Sequence, residues 1–118
     1  MKQLLGVITL GAALSAGSAF AAGRTMVGYI SDTKCATSGA SKANASEWIQ
    51  PAAFENCVKD CVKSGSAAVF VTEDNKMLTF DAVSAKKVEA FHGHKVSVVG
   101  TVTGTTLHVE TISGLKLQ

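Results

Sequence analysis

The sequence predicts a small, mainly β domain with two helices. Five segments have the alternating or β-branched pattern of strands, and two others have the apolar spacing and end signals of helices. One helix is inserted between strands 1 and 2, and the other lies between strands 3 and 4. The second placement is that of the OB-fold, a five-stranded Greek-key barrel. An unrelated five-stranded barrel and an α+β sandwich stay open, because periodicity does not determine strand pairing.

The first 21 residues have the features of a secretory signal peptide. Lys2 gives a positive start, residues 4–16 are apolar or small, and residues 19–21 supply the small-x-small pattern of a cleavage site. The apolar run is shorter than the roughly 20 residues of a membrane anchor. We therefore expect a single OB-like domain over residues 22–118. It would be periplasmic or secreted by a bacterium, with no insertion into the membrane after cleavage.

Charge and size narrow the class of partner. Of the 11 basic residues, Lys2 lies in the leader, which leaves ten basic residues against nine acidic ones. Nucleic acid is not expected as a partner, since its binding faces combine basic patches with stacking aromatic residues. A domain of about 100 residues has little stability to spare, and exported domains of this size are commonly stabilised by a disulfide or a bound metal.

The predicted elements follow one another closely. In chain order, the strands cover residues 25–31, 67–72, 76–80, 95–102 and 106–112, and the helices cover residues 51–64 and 82–91. Short turns at 73–75 and 103–105 make two hairpins. Gly28 and Gly100 fit the strongly bent strands of a small barrel. Residues 36–46, rich in Ser, Ala and Gly, predict a loop.

The helix between strands 3 and 4 has recognisable ends. Asp81 suits the N-cap position, and Gly93 suits the end of the segment. Val83, Val88 and Phe91 are its apolar positions, whereas Lys86, Lys87 and Glu89 are polar.

The helix between strands 1 and 2 carries two cysteines. Pro51 suits its first position, and Gly65 suits the residue just past its end. Its apolar positions recur at helical spacing: Phe54, Cys57, Val58, Cys61 and Val62. The thiols therefore point inward or lie at the edge of the buried face. A disulfide between Cys57 and Cys61 is not expected, since residues four apart hold Cβ atoms about 5–6 Å apart and the bond needs about 3.5–4.5 Å.

Cys35 is the third cysteine, and the first interpretation of the set is a disulfide staple. Cys35 would pair with Cys57 or Cys61 and tie the preceding loop to the helix. Chain entropy gives about 3–3.5 kcal/mol for either pairing, so the partner stays open. The odd thiol could instead pair with another chain.

The second interpretation is a soft metal site. Three thiolates from Cys35, Cys57 and Cys61 are suitable donors for a single Cu(I) or Zn(II) ion. His92 and His94 are weak candidates for nitrogen ligands. A structural role is favoured over metal binding for both. His92 ends a helix, where the dipole favours an imidazolium, and His94 begins a strand. His108 alternates with Glu110 and predicts a solvated strand residue.

The third interpretation is thiol–disulfide exchange. Lysines beside the cysteines, Lys34, Lys59 and Lys63, favour thiolate formation. However, the spacing is C-x-x-x-C rather than C-x-x-C, and both helix cysteines lie away from the N-terminal dipole that makes thiols reactive.

Asp32 has two interpretations. We favour a cap of the turn before Cys35; the alternative is a hydrogen-bond partner of a ligand or of a residue that holds a metal.

A set of motifs carries a resemblance to a known family. They are Gly28-x-Ile30-Ser31-Asp32-x-x-Cys35, Cys57-x-x-x-Cys61-Val62-Lys63-x-Gly65, and Val96-x-Val98-x-Gly100-x-Val102 followed by His108-Val109-Glu110-x-Ile112. The set resembles small exported bacterial proteins catalogued as a domain of unknown function. Its second half is also similar to periplasmic bacterial OB-fold stress proteins. Members often carry a histidine soon after the first cysteine, where this chain has Thr37 and Ser38. The resemblance implies a fold and a compartment, and no activity.

Together these patterns favour a non-enzymatic exported domain. The cysteine cluster would staple the domain, and an open barrel face would bind a small molecule, a glycan or an envelope protein. The alternatives are a periplasmic Cu or Zn protein and a thiol–disulfide redox protein. No catalytic triad, paired carboxylates or phosphate-binding glycine loop is present in the sequence.

Overall fold

The computed structural model describes residues 23–116, and the predicted signal peptide, residues 1–21, lies outside them. In chain order the elements are β1 (Arg24–Asp32), α1 (Thr33–Gly39), α2 (Pro51–Lys63), β2 (Ala68–Thr72), β3 (Met77–Phe80), α3 (Ala82–Lys87), β4 (Lys95–Thr103) and β5 (Thr106–Leu115). Single 3-10 turns lie at Ala45–Glu47 and Glu89–Phe91. In the described part of the chain, no helix has the length and apolar character needed to cross a membrane.

The five strands form one mixed sheet that closes into a ring. Neighbouring strands hydrogen-bond in the order β1-β2-β3-β5-β4, and β4 pairs with β1 to complete the ring. Four of the five pairings are antiparallel, and β3 with β5 is parallel. The prediction of a mainly β domain with five strands is therefore confirmed.

Close backbone approach explains two glycines that the sequence singled out. A Cβ atom at Gly28 would lie 2.5 Å from the Phe70 ring, and one at Gly100 would lie 2.3 Å from the His108 carbonyl oxygen. Gly100 also lies at the register shift of the β4–β5 pair, which starts after Val99. Larger side chains would push the strands apart at both positions.

Two apolar clusters occupy opposite faces of β1 and β2. The cluster inside the ring contains Ile30, Phe70, Val88, Val96, Val98, Leu107 and Val109. The cluster outside contains Tyr29, Ala36, Ala45, Ile49, Phe54, Val58, Val69 and Val71. Successive strand residues point to opposite faces, so Tyr29 and Ile30 belong to different clusters. The outer cluster is where α1 and α2 pack on the ring.

The segment 36–46, predicted as a loop, is helical in its first part. Helix α1 covers Thr33–Gly39. It is short and consists mostly of small and polar residues, so it lacks the apolar periodicity by which a helix is recognised in a sequence. The correction places Cys35 in the first turn of a helix that Asp32 caps.

The helix predicted over residues 82–91 is divided. An α-helix ends at Lys87, and the 3-10 turn Glu89–Phe91 follows. Val88 is fully buried, whereas Val83 is 59% exposed. At about 100° per residue, the two side chains point about 140° apart, so only one of them can face the core. Of these two apolar positions, Val88 therefore belongs to the core and Val83 does not.

Candidate functional site

Helix α2 packs on the outer face of the ring through two buried side chains. The Phe54 ring meets the Tyr29 ring edge-on at a centroid distance of 6.2 Å, and Val58 is fully buried in the same cluster. Pro51 begins the helix, and Gly65, with a φ of +108°, follows its C-cap, as the sequence predicted. This docking fixes the positions of the two helix cysteines.

Asp32 determines where the third cysteine lies. Its Oδ2 accepts hydrogen bonds from the backbone N–H groups of Lys34, at 2.9 Å, and Cys35, at 3.2 Å. The Ser66 hydroxyl donates a third bond at 2.8 Å. One carboxylate thus joins the end of β1, the start of α1 and the segment before β2. The prediction that Asp32 caps the turn before Cys35 is confirmed.

The three sulfur atoms meet at the junction of α1 and α2. The Cys35 Sγ lies 3.2 Å from the Cys57 Sγ and 3.9 Å from the Cys61 Sγ. All three sulfurs lie within 4.8 Å of one another. The cysteines are free thiols, because a disulfide joins its sulfurs at about 2.05 Å. The predicted staple from Cys35 to Cys57 or Cys61 is therefore not formed, although the predicted meeting of the thiols occurs.

The surroundings of the cluster favour the protonated form of two thiols. Burial, together with the nearby Asp32 carboxylate and the other two cysteines, raises the pKa of Cys35 far above its ordinary value. Burial, with the negative charges of Asp32 and Cys57, also raises the pKa of Cys61. Cys57 is the exposed member of the three. A thiol that attacks disulfides needs a lowered pKa, so these surroundings argue against exchange chemistry at Cys35 and Cys61.

Asp32 is a buried carboxylate with one oxygen left over. The residue is 0% exposed, and its Oδ1 has no hydrogen-bond partner of ordinary geometry within residues 23–116. Burial alone raises the pKa of Asp32, but interactions with the Cys35 thiol, Ser66 and two backbone amides outweigh it and bring the pKa below the ordinary value. The cluster therefore lies beside a fixed negative charge.

An apolar pocket of about 450 Å³ opens beside the thiols. All three cysteines contribute to its wall, and Trp48, Phe54 and Ala53 form much of the remainder. The indole of Trp48 meets the Phe54 ring edge-on at 6.1 Å. A volume of this size is in the range of pockets for small ligands.

A dedicated set of contacts holds Trp48 in this wall. Its indole N–H donates to the Asn75 side-chain oxygen at 2.9 Å. The Asn75 amide nitrogen donates in turn to the backbone carbonyls of Gly39, at 2.8 Å, and Lys42, at 3.0 Å. A Cβ at Gly39 would lie 2.3 Å from the indole ring. Sequence reasoning missed this network, because no short-range pattern links Trp48 to a turn residue 27 positions later.

The histidines do not join the thiol cluster in the described part of the chain. His92 is half-buried, and burial lowers its pKa. The Nε2 of His94 lies 3.4 Å from a carboxylate oxygen of Glu55 on α2. His108 is exposed, as predicted, and its Nδ1 lies 2.6 Å from the Asp81 carboxylate.

No known protein family matches the chain, and no curated protein or solved structure shows significant similarity to it.

Proposed function

We propose that this chain is an exported bacterial protein that binds one soft metal ion through Cys35, Cys57 and Cys61. The observation that carries the proposal is the convergence of three thiols, from two separate helices, to within 4.8 Å of one another. Cu(I) is the preferred ion, and Zn(II) is the alternative.

The spacing of the sulfur atoms supports a shared ion. A metal–sulfur bond of about 2.3 Å gives sulfur–sulfur separations of about 3.8 Å in a tetrahedral site and about 4.0 Å in a planar trigonal one. The separation from Cys35 to Cys61 is 3.9 Å, and that from Cys35 to Cys57 is 3.2 Å. The shorter separation involves Cys57, which is the exposed member of the three.

The number and kind of donors favour Cu(I). Thiolates are soft ligands that select Cu(I) or Zn(II), and structural zinc sites almost always have four protein ligands. Within residues 23–116, the group contains three cysteines and no histidine. Three sulfur donors are enough to hold Cu(I) and leave the ion able to accept a further soft ligand, whereas a structural Zn(II) site would need a fourth protein ligand.

The charge around the cluster also supports a cation. Burial, to which the Asp32 carboxylate adds, raises the pKa of Cys35 and of Cys61, and three thiolates beside that carboxylate would also repel one another. A bound cation offsets this repulsion and allows the thiols to ionise.

The predicted export of the protein also favours a metal site over a disulfide. Exported proteins meet oxidising conditions in which free thiols are converted to disulfides. An odd number of cysteines leaves one thiol over after any intramolecular pairing, whereas a shared ion uses all three. We further propose that the ring is an OB-like barrel, which the strand order and the position of α3 between β3 and β4 support.

Intact mass after export tests the proposal. The full chain is produced in a bacterium with added copper or zinc, collected from the exported fraction without oxygen, and examined by native mass spectrometry. We expect one ion per chain and protection of all three thiols from alkylation. The variants Cys35→Ser, Cys57→Ser and Cys61→Ser should each lose the ion, while Ser38→Ala, beside the same pocket, should keep it. A chain that has lost two protons and offers one alkylatable thiol would overturn the proposal.

A separate assay addresses thiol–disulfide exchange. If the cluster were a redox centre, the reduced protein would accelerate insulin reduction, and Cys57→Ser or Cys61→Ser would abolish that activity. The raised pKa values of Cys35 and Cys61 lead us to expect no acceleration above that of free thiol.

A further inference from the structure

The pocket beside the thiols has a wall with a fixed shape. Trp48 is fixed by its hydrogen bond to Asn75, by Phe54 and by the close backbone at Gly39. The result is an aromatic surface in the wall of the same pocket that the three cysteines line.

We propose that this pocket binds the side chain of a thioether, of the methionine type, with its sulfur directed at the ion in the cysteine cluster. The proposal rests on the metal function argued above. It names the class of molecule that would occupy the remaining position on the ion.

Three features of the pocket select a thioether. Its wall is mostly apolar and aromatic, and aromatic rings make favourable contacts with thioether sulfur. A thioether is a soft donor that suits the same ions as the thiolates. It is also neutral, so it would add no charge to the three thiolates that hold the ion next to Asp32, whereas a fourth thiolate would be repelled.

Residues at the margin suit the polar end of such a molecule. Lys34 and Gln50 contribute to the lining of the pocket. A lysine ammonium can pair with a carboxylate, and a glutamine amide can hydrogen-bond with a backbone-like group. An acylated methionine offers both groups next to an apolar side chain. Free methionine and a methionine within a peptide share this chemistry.

A pair of isosteric probes tests the proposal. N-acetyl-methionine and N-acetyl-norleucine differ by a sulfur atom in place of a methylene group. Binding of each is measured by calorimetry and by the fluorescence of Trp48, which is the sole tryptophan of the chain, using the full exported protein with and without Cu(I). A methionine-containing tripeptide, compared with its norleucine form, distinguishes a peptide source from the free amino acid.

We expect both probes to bind the metal-free protein equally, and the thioether to bind the Cu(I)-loaded protein about tenfold more tightly than its isostere. Equal affinities in the loaded protein would overturn the proposal. So would the absence of binding in both forms. The metal content of each sample, measured by mass spectrometry, keeps this result separate from a failure of metal binding.

A substitution that fills the pocket provides the matched test. Ala53 is exposed on α2 and lines the pocket, so Ala53→Leu should weaken both probes by about tenfold without disturbing the fold. Asn56→Leu adds a similar side chain at an exposed position of the same helix outside the lining. It should leave affinity unchanged. Equal effects of the two variants would overturn the location of the site, and metal retention by both would show that the cysteine cluster is intact.

Discussion

Replacement of Asn75 tests the network that shapes the pocket. Its side chain accepts one hydrogen bond from Trp48 and donates two to backbone carbonyls of Gly39 and Lys42. Its backbone has a φ of 67°, in the left-handed region that glycine tolerates freely. Asn75→Gly therefore removes the three hydrogen bonds and keeps the backbone conformation.

The expected loss follows from those three bonds. A neutral hydrogen bond contributes about 0.5–1.5 kcal/mol, so Asn75→Gly should lower the free energy of unfolding by about 2–4 kcal/mol. Asn75→Ala should cost about 1 kcal/mol more, because a residue with a Cβ is strained in the left-handed region. In a domain of this size, each kcal/mol lowers Tm by about 4–8 °C.

Urea and thermal unfolding, followed by circular dichroism and by Trp48 fluorescence, measure these changes. Lys76→Ala, in the same turn, is the matched control. Its side chain is 76% exposed and reaches Asp74 only at 3.7 Å, so its effect should stay within about 0.5 kcal/mol. If Asn75→Gly matched this control, the network would not be holding Trp48, and the argument for a built pocket would fail.

The remaining predictions concern the packing of α2 on the ring, the protonation of the thiols and the N-cap of α3. Val58→Ala should lower the free energy of unfolding by about 2–3 kcal/mol, since Val58 is fully buried, whereas Val83→Ala at an exposed position should change it by less than about 0.5 kcal/mol; equal losses in denaturant titrations would contradict the packing. Because the pKa of Cys35 and of Cys61 is raised, both are protonated at pH 7. Metal binding must then release at least these two protons and weaken as pH falls; calorimetry in buffers of different ionisation enthalpy counts them, and no proton release would contradict the prediction. Hydrogen bonds from Ser84, then the neighbouring His108, lower the pKa of Asp81 to about 2 from 3.8, so its stabilising effect is complete above about pH 4 and is lost as pH falls toward 2. In Asp81→Asn, the free energy of unfolding should therefore fall less steeply with pH in that window. An unchanged pH dependence would contradict the lowered pKa of Asp81.

Local signals were sufficient for α2 and for the strands. Pro51 and Gly65 mark the ends of α2 by backbone chemistry that depends on no other part of the chain. The strand segments also carry their own period, because alternate residues face different apolar clusters. Those features could be predicted since each is determined within about ten residues.

The geometry of the site depends on contacts between distant residues. Cys35 and Cys57 are brought to 3.2 Å because α1 is tied by Asp32 and α2 is seated by Phe54 and Val58. Sequence showed that three thiols were close along the chain, but the two docking interactions decide their separation. The pocket was missed for the same reason, because the residue that fixes its tryptophan belongs to a turn between two strands.

The charge on Asp32 is more than its capping role requires. Serine or asparagine caps a helix as well as aspartate does. A buried carboxylate costs stability when one of its oxygens lacks a partner, and Oδ1 has none within residues 23–116. Next to three thiols, the same charge adds to burial in raising the pKa of Cys35 and of Cys61, and it attracts a cation once the thiols ionise. Asp32 therefore disfavours a free, ionised cluster and favours a cation-bound one. Asp32 is not one of the three sulfur donors, but this preference for the cation-bound cluster is the contribution that a metal site needs from a neighbouring residue.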